Sequence, residues 1–273
     1  MRHVNSFADD MRLAHVLADT VERYTTTLFL SDELEVSTKE DGTLVTQADR
    51  HAEELLRHQL QRTRPRDVVQ GEEMPTTGHG NRRWIVDPID GTTNYIRGVP
   101  VWGTLIGLVV DDQPVLGLVA APSLNRRWWA ASGSGAWTGR SLSQARRIHV
   151  SDTAHIQNAS VSHAALDKWW DHPYRSGFQN LARSCWRTRG YGDFWTHCLV
   201  AEGAVDIGLD PSLAVHDMAA LAPIVTEAGG RFSDHAGVDG PFGTSAVSTN
   251  GLLHDETLRI LTQPDERAGP GLP

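Results

Sequence analysis

The stretch Trp84-Ile85-Val86-Asp87-Pro88-Ile89-Asp90-Gly91-Thr92-Thr93-Asn94 decides the reading of this chain. An apolar strand runs straight into two carboxylates, Asp87 and Asp90. Pro88 stiffens the exit, and Gly91 allows a sharp turn or the close approach of a ligand. Thr92 and Thr93 then offer hydroxyls and backbone N–H groups where a turn or helix begins. Two acids packed against an apolar strand end repel each other unless a cation joins them. Carboxylates at this spacing share one hard cation or bridge two, and Mg²⁺ takes oxygen ligands while keeping water and substrate phosphate in its shell. The adjacent N–H groups and hydroxyls suit that phosphate.

Further acids lie on either side. Gly71-Glu72-Glu73 follows a short strand candidate, so a carboxylate can sit at a strand end. Asp49 ends Thr46-Gln47-Ala48-Asp49, a capping-box-like helix start. Asp217 opens a helix expected over His216 to Ala228 and closed by Gly229-Gly230. Taken singly, acids at the starts of helices have a bland explanation, since they favour the helix dipole.

The remaining chain reads as mixed elements. Phe7, Met11, Ala14, Leu17, Val21, Tyr24 and Leu28 recur at helical spacing, with Asn5 or Ser6 as the expected cap. Ala52, Leu55, Leu56 and Leu60 continue one apolar face of the helix that Thr46 caps. Val101 to Val110, Pro114 to Ala121 and Arg126 to Ala131 read as a three-stranded meander turning at Asp111-Asp112 and Pro122 to Asn125. Beyond it, strands are expected at Ala159 to Ser162, Cys185 to Thr188, Ala204 to Leu209 and Ala246 to Thr249. Helices are expected near Leu166 to Arg183, Phe194 to Glu202 and Leu252 to Leu261. The fold class is therefore α+β, or mixed α/β, in layers. A soft boundary separates residues 1–145, which hold most of the acids, from 146–265, with a frayed tail at 266–273.

Composition narrows the function. The chain has 273 residues, 40% of them hydrophobic and 22% charged, and a formal charge of -9. That charge is the wrong sign for a general nucleic-acid binder, and an acidic chain handling phosphate esters needs metal cations to offset repulsion. The two cysteines, Cys185 and Cys198, form no disulfide framework and suit a reducing cytoplasm. No apolar run approaches the roughly 20 residues of a membrane span, and no signal peptide is expected. The thirteen histidines show no metal-ligand spacing and are expected mostly at the surface. Cys198 is expected to be a small buried apolar residue, and Gly133-Ser134-Gly135 a hairpin turn rather than a nucleotide loop.

Four segments, Lys39 to Asp49, Gly71 to Glu73, Trp84 to Asn94 and His216 to Gly230, occur in the order found in the inositol monophosphatase superfamily, which this chain resembles over nearly its whole length. The resemblance implies a layered αβαβα sandwich, commonly a homodimer, and a phosphomonoesterase dependent on two or three Mg²⁺ ions. It implies that Glu72, Asp87, the Ile89 carbonyl, Asp90 and Asp217 hold the metals. Thr92 would help Glu72 position the attacking water, with Asp49 and Thr46 behind them. Gly91, Thr92 and Thr93 would cradle the phosphate. No covalent nucleophile is needed, because cations can neutralise the phosphoryl oxygens and lower the pKa of a bound water. His216 departs from the aromatic residue that many members carry before the acid.

The string Gly190-Tyr191-Gly192-Asp193-Phe194, together with Arg97 to Ile106, Arg126 to Ala131 and Leu199 to Ile207, resembles the histidinol-phosphate phosphatase branch of this superfamily. Histidinol phosphate carries an ammonium and an imidazole, so carboxylates near the leaving group would select it. Asp193 and Asp210 are the candidates, with Arg189 as a further substrate ligand. A capping role for Asp193 at the next helix is an equal alternative. The alternative substrate is inositol 1-phosphate or another small sugar or nucleotide phosphate.

Overall fold

The structure, a computed structural model, describes residues 7–263. The expected caps Asn5 and Ser6, and the tail 266–273, lie outside the described residues. In chain order the elements are α1 (Ala8–Leu28), β1 (Val36–Thr38), β2 (Leu44–Thr46), α2 (Gln47–Thr63), β3 (Val68–Gly71), β4 (Arg82–Asp90), α3 (Thr92–Ile96), β5 (Gly103–Val110), β6 (Gln113–Ala121), β7 (Arg126–Ala131), β8 (Ala136–Gly139) and β9 (Arg146–Ile148). There follow β10 (Ser160–His163), α4 (Leu166–Trp170), α5 (Arg175–Ser184), β11 (Arg187–Arg189), α6 (Asp193–Ala201), β12 (Ile207–Asp210), α7 (Val215–Met218), α8 (Leu221–Glu227), β13 (Arg231–Ser233), β14 (Ala246–Thr249) and α9 (His254–Leu261).

Among the described residues, β3 to β9 form a seven-stranded sheet in sequence order, antiparallel except for the parallel β3–β4 pair. A five-stranded sheet runs β11-β10-β12-β14-β13, and β1 pairs with β2 as a hairpin. The boundary expected after residue 145 falls just before β9, which still belongs to the larger sheet.

Alternation along β5 shows how the layers arise. Ile106 and Leu108 face a core with Leu17 and Val21 of α1 and Leu56 and Leu60 of α2. Leu105 faces the other way, toward Phe194 and Cys198 of α6, Ile224 and Val225 of α8, and Phe232 and Ala246 of the smaller sheet. A third core joins Val161, Leu209 and Val247 of that sheet to Trp169, Phe178 and Leu181 of α4 and α5 and Ile260 of α9. Helices, sheet, helices, sheet and helices thus stack as the expected αβαβα sandwich.

Several expected elements differ. The helix expected near Leu166 to Arg183 is broken into α4 and α5, because Pro173 stands between them. The helix expected over His216 to Ala228 divides into α7 and α8. Pro223 has no N–H to donate to the carbonyl of Ala219, which lies four residues back. The strands expected at Cys185 to Thr188 and Ala204 to Leu209 lie one to three residues further on, as β11 and β12. The meander turns where expected, with φ of 51° at Asp111 and 57° at Asp112 matching a tight hairpin. Ser132 to Gly135 joins β7 to β8, as the hairpin reading of Gly133-Ser134-Gly135 requires.

Two glycines set how closely the helices approach the sheet. A Cβ at Gly107 of β5 would lie 2.8 Å from the Ala219 carbonyl carbon, and one at Gly117 of β6 would lie 2.0 Å from Ala220 O. Their bare backbone lets the α7–α8 junction settle on the sheet, which brings Asp217 of α7 beside the end of β4. Gly117→Ala overpacks this contact and is expected to cost about 1–3 kcal/mol. Urea unfolding checks this, and an unchanged midpoint would contradict it.

Candidate metal and phosphate site

A regular strand would turn Asp87 and Asp90 to opposite faces, because they are three residues apart. The β4–β5 pairing prevents that. Asp87 stands opposite Leu105 and Asp90 opposite Gly103, so Pro88 and Ile89 share the single partner Thr104. This is a bulge, and Pro88, lacking an N–H, is suited to it. Thr104 Oγ1 donates to the Pro88 carbonyl at 2.8 Å, and the Ile89 N–H donates to Asp87 Oδ1 at 3.0 Å. With the extra residue absorbed, both carboxylates face one side.

Asp217 closes the group from α7. One carboxylate oxygen each of Asp87, Asp90 and Asp217 lies within 4.8 Å of the others. Asp217 Oδ2 also accepts the Ala214 N–H at 2.7 Å, so its helix-start role and its place in the cluster coexist. Burial first, then Glu72, Asp90 and Asp217, push the Asp87 carboxyl well above its ordinary value. Burial, Asp193 and Asp217 do the same to Asp90, opposed by the Phe194 N–H, which donates to Asp90 Oδ2 at 2.8 Å. Burial also raises Asp217, and Glu72 adds to it. A knot of acids, Asp87 buried and Asp90 and Asp217 half-buried, with raised pKa values fits a hard divalent cation bound through carboxylate oxygens.

Glu72 stands beside the three aspartates, close enough to raise Asp87 and Asp217. Its carboxylate and that of Glu73 each accept from Lys39 Nζ at 2.6 Å. Burial would lower the Lys39 pKa, but these two acids outweigh it and raise it. Lys39 lies between β1 and β2, at the start of the Lys39 to Asp49 segment, and nothing local in the sequence gave it a partner.

Thr92 Oγ1 lies 3.1 Å from Asp49 Oδ1 and 3.0 Å from the Ile89 carbonyl. Both neighbours accept, so the hydroxyl proton points inward and its lone pairs are left to accept a hydrogen bond from a water. Asp49 is fully buried and completes a capping box, with Thr46 N–H and Oγ1 donating to its Oδ2 at 2.8 and 2.6 Å. Gly91 has φ 82° and turns the chain from β4 into α3. A Cβ there would meet Val101 O at 3.0 Å and Asp193 Oδ2 at 3.3 Å. Thr93 is exposed at the first turn of α3.

Asp193 does not cap α6. Its carboxylate makes no bond to the start of that helix and instead accepts from Asn94 Nδ2 at 2.7 Å. The Thr196 N–H that a cap there would serve bonds the Gly192 carbonyl instead, and the Phe194 N–H goes to Asp90. Asp193 holds φ 46°, uncommon for a residue with a side chain. Burial first and Asp217 second raise its pKa to about 6. Asp210, at the end of β12, is raised to about 7 by burial and by Asp193 and Asp217, against the Ser212 N–H. Arg189 is exposed on the edge strand β11, where its guanidinium donates to the Thr188 carbonyl, and it is not among the clustered acids. His216 Nε2 is 3.5 Å from Asp217 Oδ1.

Most of the described histidines lie at least partly at the surface, as expected, but four do not. His15, His197, His235 and His254 are buried. Hydroxyl partners make this possible for two of them: His197 Nδ1 is 2.8 Å from Ser248 Oγ, and His254 sits between Ser233 and Thr249. Cys198 is buried as expected, and burial pushes its thiol pKa well up.

The sequence model of the inositol monophosphatase family matches residues 5–264. The chain belongs to the inositol monophosphatase family. Among curated members, it is 52% identical to the histidinol-phosphatase of Streptomyces coelicolor over 94% of this chain and 98% of that one. It is 50% identical to the histidinol-phosphatase of Mycobacterium tuberculosis over 93% and 98%. Among solved structures, the extragenic suppressor protein suhB from Bartonella henselae superposes with a TM-score of 0.86 at 27% identity, covering 93% of this chain and 99% of that one. Inositol monophosphatase family enzymes are metal-dependent, in keeping with the acid cluster.

The raised carboxyls set a sign for pH dependence. Between the usual carboxylate range near pH ~4 and their raised values, the folded protein holds protons that the unfolded chain releases. The stability these carboxyls contribute without metal therefore falls as pH rises through that window, which for Asp193 ends at about 6 and for Asp210 at about 7. The buried histidines His15, His197, His235 and His254, held neutral, act in the opposite sense below the ordinary histidine value of about 6.5. Above that value only the raised carboxyls set the sign, so the melting temperature of metal-stripped protein is expected to drop from about pH 7 to about pH 8, and an added divalent cation to raise it most at the upper end. A melting temperature indifferent to both would contradict this.

Proposed function

We propose that this chain is a Mg²⁺-dependent phosphomonoesterase that hydrolyses L-histidinol phosphate to L-histidinol and phosphate, a step of histidine biosynthesis. The observation that carries the reading is a second group of acids beside the first: Asp193 and Asp210 flank the cluster of Asp87, Asp90 and Asp217. The first group suits cations on a phosphoryl group. The second suits a cationic alcohol leaving from it, and the two relatives near 50% identity carry the name histidinol-phosphatase.

In this reading Glu72, Asp87, the Ile89 carbonyl, Asp90 and Asp217 hold two or three Mg²⁺ ions, which supply charge neutralisation and a more acidic water. The protein's own groups do the rest. Glu72 and Thr92 Oγ1 accept hydrogen bonds from the attacking water and aim its lone pair at phosphorus, and the Glu72 carboxylate takes the proton released as the P–O bond forms. Asp49, fixed by Thr46, keeps the Thr92 proton turned away. The N–H groups of Gly91, Thr92 and Thr93 at the start of α3 hold the phosphoryl oxygens. Asp193, braced by Asn94, and Asp210 face the ammonium and imidazole of the leaving histidinol, with Arg189 as an outer ligand. The same reading extends to a homodimer acting in the cytoplasm.

Phosphate release in the presence of Mg²⁺ is the direct test. Asp90→Asn is expected to lower kcat by at least about 100-fold while leaving the circular dichroism spectrum unchanged. Asp193→Asn keeps an acceptor for Asn94 but removes the charge. It is expected to lower kcat/KM for histidinol phosphate by about 10–100-fold and to change that for inositol 1-phosphate by less than about twofold. Equal losses on the two esters would refute the selectivity assigned to Asp193.

A further inference from the structure

Glu53 is fully buried on α2, one helical turn beyond Asp49 and on the same face. A buried carboxylate needs a compensating arrangement, and this one reaches the loop that carries Glu72. Glu53 Oε2 accepts the Glu73 N–H at 2.7 Å, and Oε1 accepts Arg57 Nε at 2.7 Å. Arg57 continues outward, donating through Nη2 to the Met74 carbonyl at 2.9 Å and through Nη1 to Thr77 Oγ1 at 3.2 Å. On the other side of Glu72, a Cβ at Gly71 would fall 2.1 Å from Glu53 Oε1. The carboxylate thus occupies the space a side chain at Gly71 would need. One buried acid fixes the residue before Glu72 and the residue after it.

The same helix presents Asp49 to Thr92. A single rigid element therefore registers both groups assigned to the attacking water. An apolar residue at position 53 would serve packing at lower desolvation cost. The pair of a buried carboxylate with a guanidinium makes sense as an orienting device.

We infer that Glu53, paired with Arg57, is a positioning residue for the reaction, acting through the Gly71–Glu73 backbone to present the Glu72 carboxylate. This rests on the role proposed for Glu72. Glu53→Gln leaves one oxygen to serve two donors and turns an amide N–H₂ toward one of them. Gly71→Ala disturbs the same contact with Glu53 chemically intact.

Metal-stripped full-length variants, shown to be folded by circular dichroism, are titrated with Mn²⁺ and the bound ion is counted by electron paramagnetic resonance. Both variants are expected to bind Mn²⁺ about 10–100-fold more weakly, as for loss of an outer partner of a metal ligand. With Mg²⁺ present, kcat should fall while KM for histidinol phosphate stays within about twofold. Folded variants that only melt earlier, with unchanged Mn²⁺ affinity and kcat, would overturn the inference and leave Glu53 a stability residue. Glu72→Gln separates the two claims. If it weakens Mn²⁺ binding and Glu53→Gln does not, positioning fails alone; if Glu72→Gln also binds normally, the assignment of Glu72 fails with it. Should neither Glu53→Gln nor Gly71→Ala fold, amide exchange in the metal-stripped wild type decides. A Glu73 N–H protected as strongly as those of α2 supports the clamp, and one exchanging freely overturns it.

Discussion

Carboxylates from separate parts of the chain are held close enough to repel one another, and the architecture is arranged around that repulsion. Asp87 and Asp90 come from β4, Asp217 from α7 and Glu72 from the segment after β3. Burial strengthens the repulsion, since a low-dielectric surrounding weakens screening. Folding alone would not gather these groups. They stay together because each is tied to a backbone N–H or a neighbouring cation: Asp87 to the Ile89 N–H, Asp90 to the Phe194 N–H, Asp217 to the Ala214 N–H and Glu72 to Lys39. These ties hold the acids in place, and a divalent cation relieves the charge that remains.

Three local devices make the gathering possible. The bulge at Pro88 and Ile89 turns two acids of one strand to the same side. Gly107 and Gly117 remove the side chains that would hold the α7–α8 junction off the sheet. Helix α2, capped by Thr46, carries Asp49 and Glu53 on one face and so couples the Thr92 and Glu72 segments through a rigid rod. Each device trades some local regularity or apolar packing for the position of a polar group, as sites commonly do.

Much of this was legible in the residues because the signals are local. The acids of Asp87-Pro88-Ile89-Asp90, the cap at Thr46 and the periodicity of α1 and α2 are all contained within one element or its boundary. What stayed hidden depends on partners far away in the chain. Asn94 reaches Asp193 across 99 positions, and Lys39 reaches Glu72 across 33. The capping alternative for Asp193 was reasonable on position alone, but the Thr196 N–H bonds the Gly192 carbonyl and the Asp193 carboxylate accepts from Asn94. Strands β1 and β9 lack an apolar rhythm because most of their residues are exposed. Buried His197 and His254 could not be told from the surface histidines because the hydroxyls that meet them, Ser248 and Ser233, lie on strands distant in the chain.

The central claim is that these acids exist to share divalent cations that also grip a phosphoryl group. Crystals of the full-length protein soaked in Mn²⁺ and inorganic phosphate, with diffraction recorded at the manganese absorption edge, test it most directly. The account predicts anomalous peaks among the carboxylates of Asp87, Asp90 and Asp217, with phosphate density against the Gly91–Thr93 backbone. Well-ordered acids with no anomalous peak among them would contradict it.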